Sequence, residues 1–283
     1  DMKEIYDIEF LLKEHKWSLG RFIRQFHKLY LLVEMKGNIG DQLIWAGTNF
    51  FLEELEIPYN KISIGQISNC DCYDTAQATL LVPGSGAFDK RWHEWLPQLV
   101  IDASERFENV VILPSSYDIE VPIVQKCLRQ KNVFAFAREP KSFRNIKLSS
   151  NASLTYDCAL YFDFDKLQIS DADGLLCALR NDAGSLIDRN IYSLSAINND
   201  ISLTANSLEE WLSHIANAAT VITDRLHIAV ASIMLNKELI YIDPYGQKIS
   251  TYFEYVFSKS TPYKVRKENI HWLESNGYID WVK

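Results

Sequence analysis

One stretch near the carboxyl end of the chain combines residue types that suit anion binding and proton transfer. Residues 220–223 form a predicted strand, after which Asp224, Arg225, Leu226 and His227 lead into a nearly all-apolar helical segment. This order places the arginine and the histidine in the first helical turn, where free backbone N–H groups attract anions. A guanidinium binds carboxylate or phosphate, and an imidazole changes protonation near neutral pH. The structural alternative is an arginine paired with Asp224 or another acid, and a histidine hydrogen-bonded in the core.

Three further cations stand at or just beyond the carboxyl ends of predicted strands, and they are Arg138, Arg180 and Lys248. Ligands of open parallel sheets bind at this edge, so the pattern predicts a crevice for an anion with more than one charged group. Each cation also has a structural explanation. Glu139 could neutralise Arg138, Asp182 could neutralise Arg180, and Lys248 could be a solvated surface lysine.

Two glycine-containing loops and one serine follow other predicted strands: Asn38, Gly40 and Asp41 in the first loop, Gly84, Ser85 and Gly86 in the second, and Ser115 after the third strand. Glycine has no Cβ and lets the backbone approach a ligand closely. Helix amides that begin near Asp41 would favour an anion or a hydroxyl-bearing ligand. Asp41 could equally be a helix N-cap, and the glycines of the second loop could simply turn the chain.

The elements that must position these residues repeat one pattern of short apolar strand, polar loop and helical segment. The predicted strands are 29–33, 79–82, 110–113, 133–137, 175–179, 201–204, 220–223 and 239–243. Strands that alternate with helices predict parallel βαβ units in an α/β fold, with helices on both faces of the sheet. An acidic stretch, 163–173, interrupts the pattern. We therefore predict an N-terminal α/β domain over 1–160, a second over 161–265 and a C-terminal helical segment over 266–283.

The composition excludes several classes of protein. The chain has 283 residues, with 29 lysines and arginines against 37 acidic residues and a net charge of -8, which disfavours broad binding to nucleic acid or anionic membranes. No apolar run approaches the length of a membrane span, and no secretory signal is recognised. The five cysteines lack zinc-site spacing, so we expect reduced thiols in a cytoplasmic protein and no metal site.

Taken together, these motifs resemble the polysaccharide pyruvyl transferase family. The matching residues, in the family's order, are Gly37 to Asp41, Gly84 to Phe88, Leu113 to Ser116, Ala137 to Glu139 with Ser142, Arg180 to Asp182, Thr223 to His227, and Ile242 to Lys248 with Tyr252. The Arg-Leu-His element at 225–227, followed by the later aspartate, tyrosine and lysine, is the most specific of them. The ordered set spans most of the chain.

The resemblance implies two Rossmann-like domains in a glycosyltransferase-B-like arrangement, with the active site in the interdomain cleft. It implies transfer of a pyruvyl group from phosphoenolpyruvate to two hydroxyls of a sugar, which yields a cyclic ketal and inorganic phosphate without a cofactor. The family's catalytic and donor-binding positions fall on Arg138, Arg225, His227 and Lys248. We add Arg180 and Ser115 as donor-binding candidates, and the two glycine-containing loops as contacts to donor or acceptor.

Two other functions remain open at this point. A glycosyltransferase of the same architecture would use a nucleotide-sugar, and a non-catalytic protein would bind a sugar or phosphate without turnover. The expected partners are phosphoenolpyruvate and a sugar or oligosaccharide acceptor. If that acceptor is lipid-linked, the protein would work at the inner membrane surface.

Overall fold

The apolar runs of the sequence form parallel strands in two separate sheets. The computed structural model describes residues 7–26, 29–67, 73–89, 95–148, 151–167, 172–182, 197–243, 248–260 and 265–268. The described residues divide into an N-terminal unit, within 7–37 and Ile44–Phe162, and a C-terminal unit, comprising Asn38–Leu43 and the described residues from Asp163 onward. The short segment Asn38–Leu43 therefore groups with residues that follow it by more than a hundred positions.

The N-terminal unit is built on a six-stranded parallel sheet in the order β2-β1-β3-β4-β5-β6. Its strands are β1 (Leu29–Glu34), β2 (Asn60–Ser63), β3 (Ala78–Val82), β4 (Asn109–Ser115), β5 (Val133–Ala137) and β6 (Asn151–Leu154). Its helices are α1 (Ile8–Arg24), α2 (Ile39–Glu54), α3 (Ile64–Ile67), α4 (Trp95–Ser104), α5 (Pro122–Leu128) and α6 (Pro140–Ile146), except that the first residues of α2, up to Leu43, group with the C-terminal unit. Every residue of β3 is buried, as expected of a strand covered on both faces.

The C-terminal unit is built on a four-stranded parallel sheet in the order β10-β9-β8-β7. Its strands are β7 (Leu175–Ala178), β8 (Thr220–Thr223), β9 (Glu238–Ile242) and β10 (Val265–Glu268). Its helices are α7 (Ile201–Thr204), α8 (Leu208–Ala216), α9 (Leu226–Met234) and α10 (Lys248–Phe257). None of the helices within the described ranges combines the length and the apolar character that crossing a bilayer requires.

The predicted α/β class with parallel sheets is confirmed, one predicted element is wrong, and a second is wrong over its first three residues. Residues 201–204 form one helical turn and not a strand, because the Asp200 carbonyl accepts the N–H groups of Leu203 and Thr204 at 2.8 and 3.2 Å. The segment predicted as helical over 266–283 begins in strand β10, whose backbone pairs with β9. Residues 269–283 lie outside the described residues. The first error concerns a segment too short for the period of its pattern to separate strand from helix, and the second concerns a mostly charged segment with Val265 as its one apolar residue.

Two features of the N-terminal sheet affect the loops that follow its strands. The strand order reverses between β1 and β3, and ligands of open α/β sheets bind at such a switch point. In β4 the pairing register shifts between Ile112 and Ser115, and Pro114 between them has no N–H to donate to the ladder. This irregularity lets the Ser115 side chain leave the regular pattern of the strand.

A cavity of about 170 Å³ lies at the β1/β3 switch point. Its lining includes Glu34, Trp45, Asn49, Lys61 and Pro83. Ligand pockets for drug-sized molecules usually measure about 300–1,000 Å³, so this cavity is smaller than those pockets.

The described cysteines are buried free thiols. Burial raises the pKa of Cys127 to about 12 and, together with the charge of Asp224, that of Cys177 to about 12. Cys158 is also buried and free, and Cys70 and Cys72 lie outside the described residues. The three buried thiols are therefore protonated and unreactive at neutral pH.

Candidate functional site

His227 lies at the start of α9 and faces the first turn of α2, within the C-terminal unit. Its Nδ1 is 4.0 Å from Oδ1 of Asp41, and its side chain is 11% exposed. A Cβ built on Gly40 would lie 3.6 Å from the Cβ of His227, so the glycine turn passes directly beside the histidine. The structure thus brings a partly buried imidazole next to a carboxylate, which is an arrangement suited to proton transfer.

Asn38 fixes the position of the Asp41 carboxylate. The Asn38 side-chain amide donates to Oδ2 of Asp41 at 2.8 Å, and Oδ1 of Asn38 accepts the Asp41 N–H at 3.2 Å. Asn38 is therefore the residue that caps α2, and the prediction of Asp41 as an N-cap is wrong. Because the cap is made by the asparagine, Asp41 sits in the first turn and its carboxylate faces His227.

Arg225 belongs to a chain of ion pairs in the same unit. Its Nε and Nη2 donate to the two carboxylate oxygens of Asp200 at 2.6 and 2.5 Å, and Nη2 also contacts Asp182 at 3.0 Å. Arg180 donates to the same Asp182 through Nε and Nη2, at 2.8 and 3.0 Å. The predicted Arg180–Asp182 pair is confirmed.

Arg225 itself is buried, and its acidic partners are not the one nearest in sequence. Burial acts to lower the pKa of Arg225, but the hydrogen bonds that Arg225 donates to Asp200 and Asp182, together with the charges of these acids, outweigh that effect and raise the pKa, so the guanidinium remains charged. Of the alternatives, Asp224 or another acid, the second is the one observed, because Arg225 pairs with Asp200 and Asp182. The structural explanation offered for Arg225 is thus realised, with different acids.

The Asp224 carboxylate binds the backbone just beyond β7. Only one of its two oxygens has a hydrogen-bond partner among the described residues. Its Oδ1 accepts the backbone N–H of Arg180 at 2.8 Å. Its Oδ2 is buried without a hydrogen-bond partner in the described part of the chain. Burial is the main cause that raises the pKa of Asp224 to about 6, against the lowering effect of the Arg180 N–H and of the neighbouring arginines.

The raised pKa of Asp224 predicts that the C-terminal unit becomes more stable as the pH falls from 7 to about 5. The folded state binds a proton near pH 6, whereas the unfolded aspartate binds one only near pH 4, so protonation favours the folded form in that window. The unmet charge costs the folded state about 3 kcal/mol at pH 7. Asp224→Asn should raise the unfolding free energy at pH 7, by an amount that shrinks toward pH 4, in urea titrations. Asp163→Asn, at a partly exposed site, is the matched control, and an equal pH dependence in Asp224→Asn and wild type would contradict this prediction.

In the N-terminal unit, Arg138 follows β5 and is also buried and paired. Its Nη1 donates to Asp157 at 2.9 Å, and its Nε donates to the Ser116 hydroxyl at 2.9 Å. The proposed pairing with Glu139 is wrong, because that carboxylate caps α6 by accepting the Ser142 N–H. The side chains of Arg138 and Asp157 are 4% and 0% exposed, so this ion pair is part of the interior.

The loop 83–88 lies against the end of β4 in the same unit. The Ser115 hydroxyl accepts the Ser85 N–H at 3.0 Å and donates to the Leu113 carbonyl at 2.8 Å. A Cβ on Gly86 would lie 3.6 Å from Nη2 of Arg138, so this loop reaches the arginine. The structure therefore brings together Gly84, Ser85, Gly86, Ser115 and Arg138, all of which were predicted as site residues.

Gly84 is required by close packing, and Gly86 is not. A Cβ on Gly84 would lie 2.4 Å from the backbone oxygen of Pro114, whereas the nearest atom at Gly86 is the end of a side chain at 3.6 Å. We expect Gly84→Ala to destabilise the N-terminal unit by about 1–3 kcal/mol, and Gly86→Ala to change stability by less than about 0.5 kcal/mol. Thermal unfolding of both variants tests this. Equal melting temperatures for the two would rule out close packing at residue 84.

Lys248 is the first residue of α10 and is half-buried. The nearby Asp243 accepts the Ile249 N–H at 3.0 Å and a hydrogen bond from Lys267 at 3.2 Å. The role of Lys248 therefore rests on the sequence resemblance. Among the described residues, no group of His, Cys, Asp and Glu side chains is placed to hold a metal ion.

Sequence reasoning missed Asp157 and Asp200, the carboxylates that hold the two buried arginines. Each precedes a short turn of 3₁₀ or α type, at 158–161 and 201–204. An aspartate in that position is typical of a helix N-cap, and Asp157 does accept the Ala159 N–H at 2.9 Å. A search for acids to match the buried arginines, made over the whole chain, could have found them.

Comparison with known proteins agrees with this architecture. A crystal structure of a functionally uncharacterised protein from Klebsiella pneumoniae subsp. pneumoniae NTUH-K2044 superposes with a TM-score of 0.71 at 21% sequence identity, covering 90% of this chain and 98% of that one. This likeness supports the fold alone. No curated protein matches the chain.

The family model described as Polysaccharide pyruvyl transferase matches residues 38–244, which include every candidate site residue except Lys248. The chain therefore belongs to the polysaccharide pyruvyl transferase family.

Proposed function

We propose that the chain transfers the pyruvyl group of phosphoenolpyruvate to two hydroxyls of one sugar, in a polysaccharide or its precursor. Family membership supports a transferase that acts on a sugar. The observation that carries the specific proposal is the His227 group, in which a partly buried imidazole lies 4.0 Å from the carboxylate of Asp41. The enol donor needs a proton on its methylene carbon before its C2 can accept a hydroxyl, and a held imidazole can supply it.

In the proposed reaction, His227 gives a proton to the methylene carbon of phosphoenolpyruvate, and C2 gains oxocarbenium character. The first sugar hydroxyl then adds to C2 and returns a proton to His227. The second hydroxyl adds to C2 as the C2–O bond to phosphate breaks, and its proton leaves with the phosphate. The products are a cyclic ketal with a new methyl group and inorganic phosphate.

In the proposal, Asp41 affects the proton transfers by orienting His227. A carboxylate on the Nδ1 side favours the tautomer that carries its proton there, which leaves Nε2 to exchange protons with the reactants. Asn38 holds that carboxylate by the 2.8 Å bond from its side-chain amide. Asp41 is thus a positioning residue in the proposal, and His227 is the catalytic one.

The donor carries a carboxylate and a phosphate, which suit fixed cations. Arg138 and Arg225 are each held by buried carboxylates, so their positions are set before a ligand arrives. We assign them to the anionic groups of the donor, with Lys248 assisting at the phosphate. Arg180 and Ser115 act by holding neighbouring groups in place, and the loops at 38–41 and 84–86 contact donor or acceptor.

Thermal melting with each donor class, followed by phosphate release, tests the proposal. A ligand at about 100 times its Kd adds about 2.7 kcal/mol, so millimolar phosphoenolpyruvate should raise the melting temperature measurably. Phosphate release should then require a sugar with a free 1,2- or 1,3-diol. A rise with nucleotide-sugars only would identify a glycosyltransferase instead. Binding of phosphoenolpyruvate without phosphate release on any diol sugar would identify a binding protein.

A further inference from the structure

We infer that Arg225 offers only its Nη1 to an anion, and that Asp200 is the positioning residue that imposes this orientation. The inference rests on the proposed function for the identity of the natural anion, phosphoenolpyruvate. The geometry itself concerns any small oxyanion, including inorganic phosphate.

Asp200 holds one edge of the guanidinium by two parallel hydrogen bonds. Nε donates to Oδ1 at 2.6 Å and Nη2 donates to Oδ2 at 2.5 Å. The Asp200 side chain is 0% exposed, and the Asn181 N–H donates to its Oδ2 at 2.9 Å. A bidentate pair between planar groups fixes the rotation of both, so Asp200 fixes the plane of Arg225.

The remaining capacity of Arg225 is confined to one nitrogen. A guanidinium has five N–H donors, of which Nε has one and each terminal nitrogen has two. The Nε hydrogen and one Nη2 hydrogen go to Asp200, and the other Nη2 hydrogen goes to Asp182 at 3.0 Å. Nη1 has no acceptor in the described part of the chain, and it is not among the polar atoms buried without a partner. Nη1 is therefore both unpaired within these ranges and in contact with solvent.

The two carboxylates that bind Arg225 have separable effects. Asp200 sets the orientation by two bonds, whereas Asp182 makes one bond to Nη2 and is 34% exposed. Three carboxylates, those of Asp182, Asp200 and Asp224, surround the two guanidiniums of this group, which is therefore negative overall. Removing the charge of Asp182 should then strengthen the attraction for an oxyanion, since Asp200 still orients the arginine.

Calorimetric titration with phosphoenolpyruvate, and separately with inorganic phosphate, tests the inference on the full chain at pH 7.5. Asp182→Asn should lower the Kd by about 2–5-fold. Asp200→Asn should raise it at least about 10-fold, because Arg225 loses its orientation. Asp163→Asn removes the same charge from a partly exposed site in the same unit and should leave the Kd within about twofold. In the Arg180→Met background the gain from Asp182→Asn should persist, which assigns it to Arg225.

The opposite signs of the two effects exclude a purely structural role, which would weaken binding in both variants. If Asp200→Asn does not fold, as judged by circular dichroism, the inference is tested by Asp182→Asn alone. An unchanged or raised Kd in Asp182→Asn then overturns the inference. Failure of wild type to bind either anion also overturns it. The expected pattern with phosphate but no binding of phosphoenolpyruvate would uphold the inference and reject the proposed donor.

Discussion

Replacement of His227 by alanine is expected to lower the turnover of pyruvyl transfer by about two to four orders of magnitude, the usual effect of losing a proton-transfer group. The variant should still bind phosphoenolpyruvate, because the cations assigned to the donor remain in place. Initial rates of phosphate release at saturating donor and acceptor measure the first effect. The rise in melting temperature with phosphoenolpyruvate measures the second.

Two variants sharpen this test. His214 is an exposed histidine on α8 that lies 3.9 Å from Glu210, so His214→Ala removes an imidazole without touching the proposed site. Its turnover should match that of wild type. Asp41→Asn keeps the size of the side chain near His227 and removes its charge, and we expect a loss of turnover smaller than that of His227→Ala. Near-wild-type turnover in His227→Ala would remove this residue from the mechanism.

The strands could be predicted well from the sequence because most of them are buried on both faces. Residues 133–137 are a continuous apolar run and residues 220–223 are β-branched throughout, and they form β5 and β8 with the same bounds. Strand β2 was not predicted. It is an edge strand with polar residues, and of its four residues only Ile62 is buried. A continuous apolar signal comes from burial, which an edge strand lacks.

Helix α1 was also missed, although its signal is present. Leu12, Leu19 and Ile23 are buried at helical spacing, and Asp7 caps the helix by accepting the Glu9 N–H at 3.0 Å. The charged residues among them weaken the apolar pattern. A period of 3.6 residues could have identified this helix, whereas a search for apolar runs could not.

The candidate site, like the fold, could be predicted from the sequence only in part. The residue types and their places at strand ends could be read from the sequence, but the partners of the arginines could not. Arg225 pairs with Asp200, 25 positions before it, and Arg138 pairs with Asp157, 19 positions after it. The adjacent acids were the wrong choice because backbone N–H groups engage them, Ser142 for Glu139 and Arg180 for Asp224. Such competition is decided by tertiary packing.

Loss of charge at Asp157 is expected to destabilise the N-terminal unit by about 3–5 kcal/mol, because it leaves Arg138 buried without its counter-ion. Asp157→Asn retains an oxygen that can accept the Ala159 N–H, so the change tests the ion pair and spares the turn. The melting temperature should fall by roughly 10 °C. Asp163→Asn breaks the ion pair with exposed Lys166 and should cost about 1 kcal/mol or less. A loss below about 1 kcal/mol in Asp157→Asn would contradict a buried ion pair.

The double variant Arg138→Met/Asp157→Asn separates stability from donor binding. Replacing both charges of a buried pair is often close to neutral, so this variant should recover most of the stability lost by Asp157→Asn. If Arg138 also contacts the donor, the double variant will be stable and still fail to gain melting temperature from phosphoenolpyruvate. If Arg138 only holds the end of β5, the double variant will bind the donor as wild type does. Inactivity of Arg138→Ala alone could not make this distinction, because removing one partner of the pair damages fold and site together.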